Sequence, residues 1–139
     1  MSKIVAYLTF NGKCQEAMTY YQDVLGGELT LQSVQGFPVE ARCPTGEEHQ
    51  IMHSSLIKGD MVLMASDMVG PSGFRPGNTI ALALQCDTAD EINTYFTKLA
   101  EGGQVLHPLA KQPWGALFGV LADKYGVAWM LNHELKAVS

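Results

Sequence analysis

A chain of 139 residues, 47% apolar and 17% charged, can form one compact domain with a single core, and it has no long polar tract that would remain disordered. Its net charge is −5 and its nine Lys and Arg residues are scattered, which argues against nucleic acid and anionic membranes as partners. No apolar run approaches the ~18 residues that span a bilayer, so we expect a cytoplasmic protein.

The first half of the chain predicts a strand, a helix and three further strands. Ile4 to Phe10 forms a strand-like run, and apolar residues then recur at helical spacing until a Gly-Gly pair ends the pattern. The helical stripe consists of Ala17, Tyr20, Tyr21, Val24 and Leu25. Glu28 to Val34 predicts the next strand, and Ile51 to Ile57 with Met61 to Ala65 predicts a hairpin. The strand–helix–strand order favours a parallel crossover.

The second half repeats this order. Thr79 to Cys86 and Gln104 to Leu106 are strand-like, and the helix between them is again followed by a Gly-Gly pair. Its stripe is Ile92, Tyr95, Phe96, Leu99 and Ala100. Leu117 to Leu121 and Val127 to Leu131 predict the closing hairpin. Asn11 marks the expected start of the first helix, and Thr88 with Glu91 has capping-box spacing at the second.

The repeat predicts the domain organisation. We expect a single domain over residues 1–139, with one βαβββ module at residues 1–69, a Gly- and Pro-rich connector at 70–77 and a second module at 78–139. Two such modules side by side predict an α+β fold with a curved eight-stranded mixed sheet. The trough of that sheet would enclose a concave site.

Several strings carry a family resemblance along the whole chain. They include Tyr7-Leu8-Thr9-Phe10-Asn11-Gly12, Leu25-Gly26-Gly27-Glu28-Leu29, Met64-Ala65-Ser66-Asp67 and the segment from Asp123 to Asn132. Together they resemble the PhnB-like branch of the glyoxalase/bleomycin resistance/dioxygenase, or vicinal oxygen chelate (VOC), superfamily. The resemblance implies paired βαβββ modules and a homodimer. Some relatives carry a demethylubiquinone methyltransferase label, but no GxGxxG-like turn follows a strand here to hold S-adenosylmethionine.

The resemblance also implies where a metal would bind. Metal-using members of the superfamily place ligands on the first and last strands of each module. Carried across by the flanking motifs, those positions fall near Ala6 or Tyr7, near Ile80 or Ala81, and at Met64 and Met130. Divalent ions such as Zn²⁺ prefer imidazole and carboxylate to thioether. We therefore predict no metal and no other cofactor.

Eight residues are candidates for contact with a small-molecule ligand. They are His53, Met64, Ser66, Asp67, Trp114, Phe118, Met130 and Asn132. Strand alternation should place Ser66 and Asn132 on the face of the methionines, as the few polar groups of a mostly apolar cavity. Alternative interpretations are a core or edge histidine for His53 and a cap of the following loop for Asp67. The aromatic pair could equally form a dimer contact or plain core, and the methionines plain core.

Two further features have a functional and a simpler interpretation. Cys14 falls in the first turn of the first helix, where the helix dipole lowers a thiol pKa, but no His–Asp pair accompanies it. An ordinary helix residue is the simpler interpretation. Phe37 to Glu48 is the longest irregular stretch, and it is either a lid over the trough or a surface excursion.

Three functions follow as hypotheses. The first is a metal-independent protein that binds a small apolar or amphipathic molecule in the trough. The second is a metal-dependent isomerase, lyase or transferase of the glyoxalase type, and the third is a dimeric scaffold whose trough is closed. The missing metal ligands favour the first.

Overall fold

The computed structural model describes residues 2–39 and 50–135 and divides into two compact units, Met1–Arg75 and Pro76–Ser139. The boundary between the units falls inside the predicted connector, residues 70–77. Within the described residues, each unit contains one helix and one sheet. No helix in the described ranges is long and apolar enough to span a bilayer.

The first unit follows the predicted order with one extra strand. Its elements are β1 (Ala6–Thr9), α1 (Cys14–Leu25), β2 (Glu28–Ser33), β3 (Pro38–Val39), β4 (Ile51–Lys58) and β5 (Met61–Ser66). The sheet order is β1-β5-β4-β2-β3, in which only β1 and β5 pair in parallel. β2 therefore runs in the same direction as β1, as the crossover predicts. The short β3 occupies the start of the segment expected to be irregular; the remainder of the proposed lid lies outside the described residues.

The second unit has the same topology without the extra strand. Its elements are β6 (Leu82–Gln85), α2 (Ala89–Ala100), β7 (Gln104–Gln112), β8 (Ala116–Ala122) and β9 (Ala128–Glu134). The sheet order is β6-β9-β8-β7, with β6 and β9 parallel. The predicted α+β fold of two βαβββ modules is confirmed, as two hydrogen-bonded sheets of five and four strands.

The repeat extends to individual hydrogen bonds. Phe10 N–H donates to Ser66 O and Cys86 N–H donates to Asn132 O, each at 2.8 Å. In the strand registers, Tyr7 lies beside Met64 and Ala83 beside Met130. Tyr7 and Ala83 are thus equivalent, which corrects the sequence assignment of Ile80 or Ala81 to this position. The strand begins at Leu82, three residues later than predicted.

β7 is longer than the sequence pattern predicts. It continues from Gln104 to Gln112 although Pro108 lies within it, whereas the predicted strand ended at Leu106. Proline lacks the N–H that a central strand needs, but β7 is an edge strand. Its register with β8 also shifts on both sides of His107, so bulges accommodate the proline.

Each helix covers one face of its sheet and leaves the other face open. α1 buries Ala17, Met18, Tyr21 and Leu25 against the sheet residues Leu31, Ile51, Leu56, Leu63 and Ala65. α2 buries Ile92, Phe96 and Leu99 on the side of Leu84, Leu121, Trp129 and Leu131. Because side chains alternate along a strand, the residues between these positions point to the open face. Most candidate ligand contacts lie there.

Candidate functional site

The open face of the first sheet carries a phenol and an imidazole in contact. Tyr7 on β1 lies beside Met64 on β5, and its hydroxyl forms a 3.3 Å hydrogen bond with His53 Nδ1. The two rings are 5.9 Å apart between centroids. Tyr7 is 50% exposed, His53 is exposed and Met64 is half-buried. The phenol can therefore contact a ligand, a role that the sequence analysis did not assign to it.

Ser66 and Asp67 differ from these residues in their burial. Each is only 2% exposed. The Ser66 hydroxyl accepts a hydrogen bond from Met68 N–H at 3.2 Å, which ties it to the chain that follows β5. The hydroxyl is therefore engaged in local structure and offers little surface to a ligand.

The Asp67 carboxylate joins the start of α1 to the start of β4 through three backbone hydrogen bonds. Its Oδ1 accepts hydrogen bonds from Gly12 N–H at 2.9 Å and Cys14 N–H at 3.0 Å, and its Oδ2 accepts one from Ile51 N–H at 2.9 Å. The first two donors lie at the start of α1, where unpaired N–H groups attract negative charge. Asp67 thus caps α1 from the end of β5, while Lys13, the N-cap residue, makes no side-chain cap bond. The predicted cap at Asn11 is wrong, and Asp67 belongs to the scaffold behind the open face.

The open face of the second sheet carries a pair of amides. Gln85 on β6 and Asn132 on β9 are register partners, and Asn132 Nδ2 donates to Gln85 Oε1 at 2.8 Å. Met130, two residues earlier on β9, is 37% exposed and lies beside Ala83. Asn132 is therefore on the face of the methionine, as predicted. Gln85 was not predicted as a site residue from the sequence. It follows Ala83 by two residues, just as Asn132 follows Met130.

Three ring side chains extend this face on β7, on β8 and in the turn between them. Phe118 is the register partner of Asn132, and its ring makes edge contacts with Trp114 and His107 at centroid distances of 5.9 and 5.8 Å. Trp114 is 67% exposed, so its indole is not part of the core. These three rings form one cluster, which we call the aromatic cluster. The sequence pattern singled out Trp114 and Phe118 but not His107.

Comparisons with known proteins match nearly the whole chain. A family model described as 3-demethylubiquinone-9 3-methyltransferase matches residues 2–132. The chain belongs to this family. Protein YjdN of Escherichia coli K12 is 33% identical over 136 residues, covering 91% of each chain.

Solved structures agree with this membership in the PhnB-like family. The chain is 37% identical to protein PA1353 of Pseudomonas aeruginosa, covering 98% of this chain and 100% of that one, with a TM-score of 0.83. It is 33% identical to a Bacillus cereus protein described as a putative 3-demethylubiquinone-9 3-methyltransferase, PhnB protein, with a TM-score of 0.70 and coverage of 95% and 99%. A glyoxalase/bleomycin resistance protein/dioxygenase family enzyme from Burkholderia phytofirmans, 14% identical, shares the fold. The predicted PhnB-like VOC resemblance is confirmed.

The positions at which the family resemblance implies metal ligands carry poor ligands in this chain. The register places Tyr7 beside Met64 and Ala83 beside Met130, which amounts to one phenol, two thioethers and a methyl group. That set does not fit a divalent ion such as Zn²⁺ or Mn²⁺. Within residues 2–39 and 50–135, no three His, Cys, Asp or Glu side chains cluster as a metal site would need.

Cys14 is buried beneath the sheet. Its Sγ lies 3.5 Å from Ser54 Oγ, and burial raises the pKa of the thiol to about 12, while the hydrogen bond between Cys14 and Ser54 opposes this increase only in part. A thiol with that pKa stays protonated at neutral pH and is a poor nucleophile. Cys14 is therefore best interpreted as an ordinary buried helix residue.

Proposed function

We propose that this PhnB-like protein binds a small apolar or amphipathic molecule on the open faces of its sheets, without a metal ion. The observation that carries the proposal is the open face of the second unit. There an exposed indole, a phenyl ring and a methionine adjoin the Gln85–Asn132 amide pair. Small-molecule sites combine mostly apolar surface with a few oriented polar groups in this way.

The first unit supports the same proposal with different chemistry. His53 and Phe118 are repeat equivalents, since each stands two residues before the strand partner of a methionine, Ser55 for Met64 and Val120 for Met130. An imidazole paired with a phenol thus replaces the aromatic cluster. Such a pair can donate a hydrogen bond to the polar end of a ligand or accept one from it.

The ligand contacts are tested by analysing what the protein carries. Untagged protein and its Asn132→Ala variant are purified in parallel, denatured, and their small molecules compared by untargeted mass spectrometry. We expect a compound that is enriched with the wild-type protein and reduced at least about fivefold with the variant, because the variant loses an amide that orients the ligand. Equal amounts from both proteins would contradict the site. Circular dichroism serves as the control that Asn132→Ala remains folded.

Metal content provides an independent prediction. Because the donor set at the superfamily positions does not fit, we expect far less than one Zn²⁺, Ni²⁺ or Mn²⁺ per chain, both as purified without a tag and after incubation with each ion and desalting. Elemental analysis measures this. A tightly held stoichiometric ion that disappears in His53→Ala would favour the metal-dependent enzyme.

We also propose a homodimer, as the family resemblance implies. Val105 and Leu106 are exposed apolar residues on the edge strand β7, and edge strands with apolar surface are commonly covered by a partner. Light scattering at micromolar concentration should give about twice the chain mass of 15.1 kDa. A particle of the single-chain mass would contradict the proposal.

A further inference from the structure

We infer that the second unit selects a planar heteroaromatic ring with a cis-amide edge, meaning a ring carbonyl next to a ring N–H, which pairs with Asn132 and Gln85. This inference rests on the proposed function and specifies the chemistry of the bound group.

The bond between the two amides does not use the oxygen of Asn132 or the nitrogen of Gln85. The bond from Asn132 Nδ2 to Gln85 Oε1 uses one hydrogen of Asn132 and the oxygen of Gln85. Among the described residues, Asn132 Oδ1 and Gln85 Nε2 have no partner. The first group accepts hydrogen bonds and the second donates them. Because Gln85 and Asn132 are register partners on adjacent strands, this acceptor and this donor belong to neighbouring side chains of the open face.

This pattern discriminates between ligand groups. A carboxylate could accept from Gln85 Nε2 and from the second N–H of Asn132, but it would leave Asn132 Oδ1 without a partner, and an ammonium group would leave Gln85 Nε2 without one. A cis-amide satisfies both, because its N–H donates to Asn132 Oδ1 while its carbonyl accepts from Gln85 Nε2. Neither protein amide is charged, so the complementary group is neutral.

The aromatic cluster lies where the ring of such a ligand would extend. Phe118 is the next residue to Asn132 across the sheet, and cross-strand neighbours stand roughly 5 Å apart. Trp114 and His107 flank Phe118. The row from Gln85 through Asn132 to Phe118 therefore spans about 10 Å, which suits two or three fused rings. Aromatic contact with hydrogen bonds to a ring edge is also how proteins hold an unstacked base.

A pair of probes tests the inference. Lumazine, a two-ring heteroaromatic compound, has cis-amide edges. In N1,N3-dimethyllumazine, methyl groups replace the hydrogens of both ring N–H groups. Calorimetric titration of the wild-type protein should show lumazine binding at least about fivefold more tightly, because only lumazine can donate to Asn132 Oδ1. Gln85→Met should reduce this preference to less than about twofold, since the variant removes the donor and the partner of Asn132. Ile80→Ala, at an exposed apolar residue ahead of β6, should retain the preference.

The outcomes separate this inference from the proposed function. Anilinonaphthalene sulfonate, a fluorescent probe of apolar sites, is titrated in parallel. If it binds saturably while lumazine shows no preference over its methylated form, or does not bind, the inference is overturned and the proposed function stands. A preference that survives Gln85→Met also overturns the inference. Failure of all three probes to bind would overturn both.

Discussion

Replacing Asp67 with Ala is expected to lower the free energy of unfolding by about 3–5 kcal/mol. The carboxylate accepts three backbone hydrogen bonds, two at the start of α1 and one at the start of β4. Without it, these N–H groups lose their acceptor in a region where Asp67 itself is almost fully buried. An unsatisfied buried donor typically costs about 1–3 kcal/mol. Urea denaturation followed by circular dichroism measures the difference.

Two further variants make this result specific. Asp67→Asn keeps an oxygen for Gly12 and Cys14 but can turn an amide N–H₂ toward Ile51 N–H, so we expect roughly half the loss. Asp60→Asn, in the exposed turn between β4 and β5, should change stability by less than about 0.5 kcal/mol. A loss below about 1 kcal/mol for Asp67→Ala would contradict the capping role. If that variant does not fold, the order of Asp67→Asn and Asp60→Asn still tests it.

Replacing Trp114 with Ala is expected to weaken the binding of anilinonaphthalene sulfonate by about 30-fold, equivalent to ~2 kcal/mol. Trp114 is exposed and contacts Phe118, so its indole offers a large accessible aromatic surface on the open face of the second sheet. Aromatic residues of this kind often dominate the free energy of binding. Because the side chain is largely outside the core, the stability of the fold should change little. A fluorescence titration gives the dissociation constant.

The control for this prediction is a substitution at a second exposed apolar residue. Ile80→Ala removes a side chain that is also highly exposed but belongs to neither the aromatic cluster nor the amide pair. It should leave the dissociation constant within about twofold of the wild-type value. Equal weakening by both variants would indicate nonspecific adsorption, and no weakening by Trp114→Ala would exclude the indole from the site.

The sequence was sufficient to predict the fold because its signals are local and repeated. Helical stripes ended by Gly-Gly pairs, and hairpins with polar turns, predict both βαβββ modules without tertiary information. The length of β7 was underestimated because a proline such as Pro108 normally ends a strand. The edge position of β7 makes this proline acceptable. The cap of α1 was misassigned because its acceptor, Asp67, comes from a distant strand. Sequence spacing contains no sign of that contact.

The candidate site was only partly predictable for the same reason. Alternation along β9 correctly placed Asn132 with Met130 on one face. Gln85 and Tyr7 gain their importance from register with a neighbouring strand, which the local pattern does not determine. The repeat equivalent of Gln85 is Thr9, which is not a candidate residue, so aligning the two halves does not single out Gln85 either. The direction of the His107 side chain could not be predicted from alternation, because bulges in β7 determine it.

The two tryptophans provide the most direct test of binding at the open face. Trp114 lies exposed in the aromatic cluster, whereas Trp129 is buried and its indole N–H donates to Asp123 Oδ2 at 2.9 Å. A proton–nitrogen correlation spectrum therefore contains one reporter at the proposed site and one in the core. On titration with anilinonaphthalene sulfonate, the Trp114 indole signal should shift saturably while the Trp129 signal stays in place. Saturable binding that leaves the Trp114 signal unmoved would contradict the proposed site.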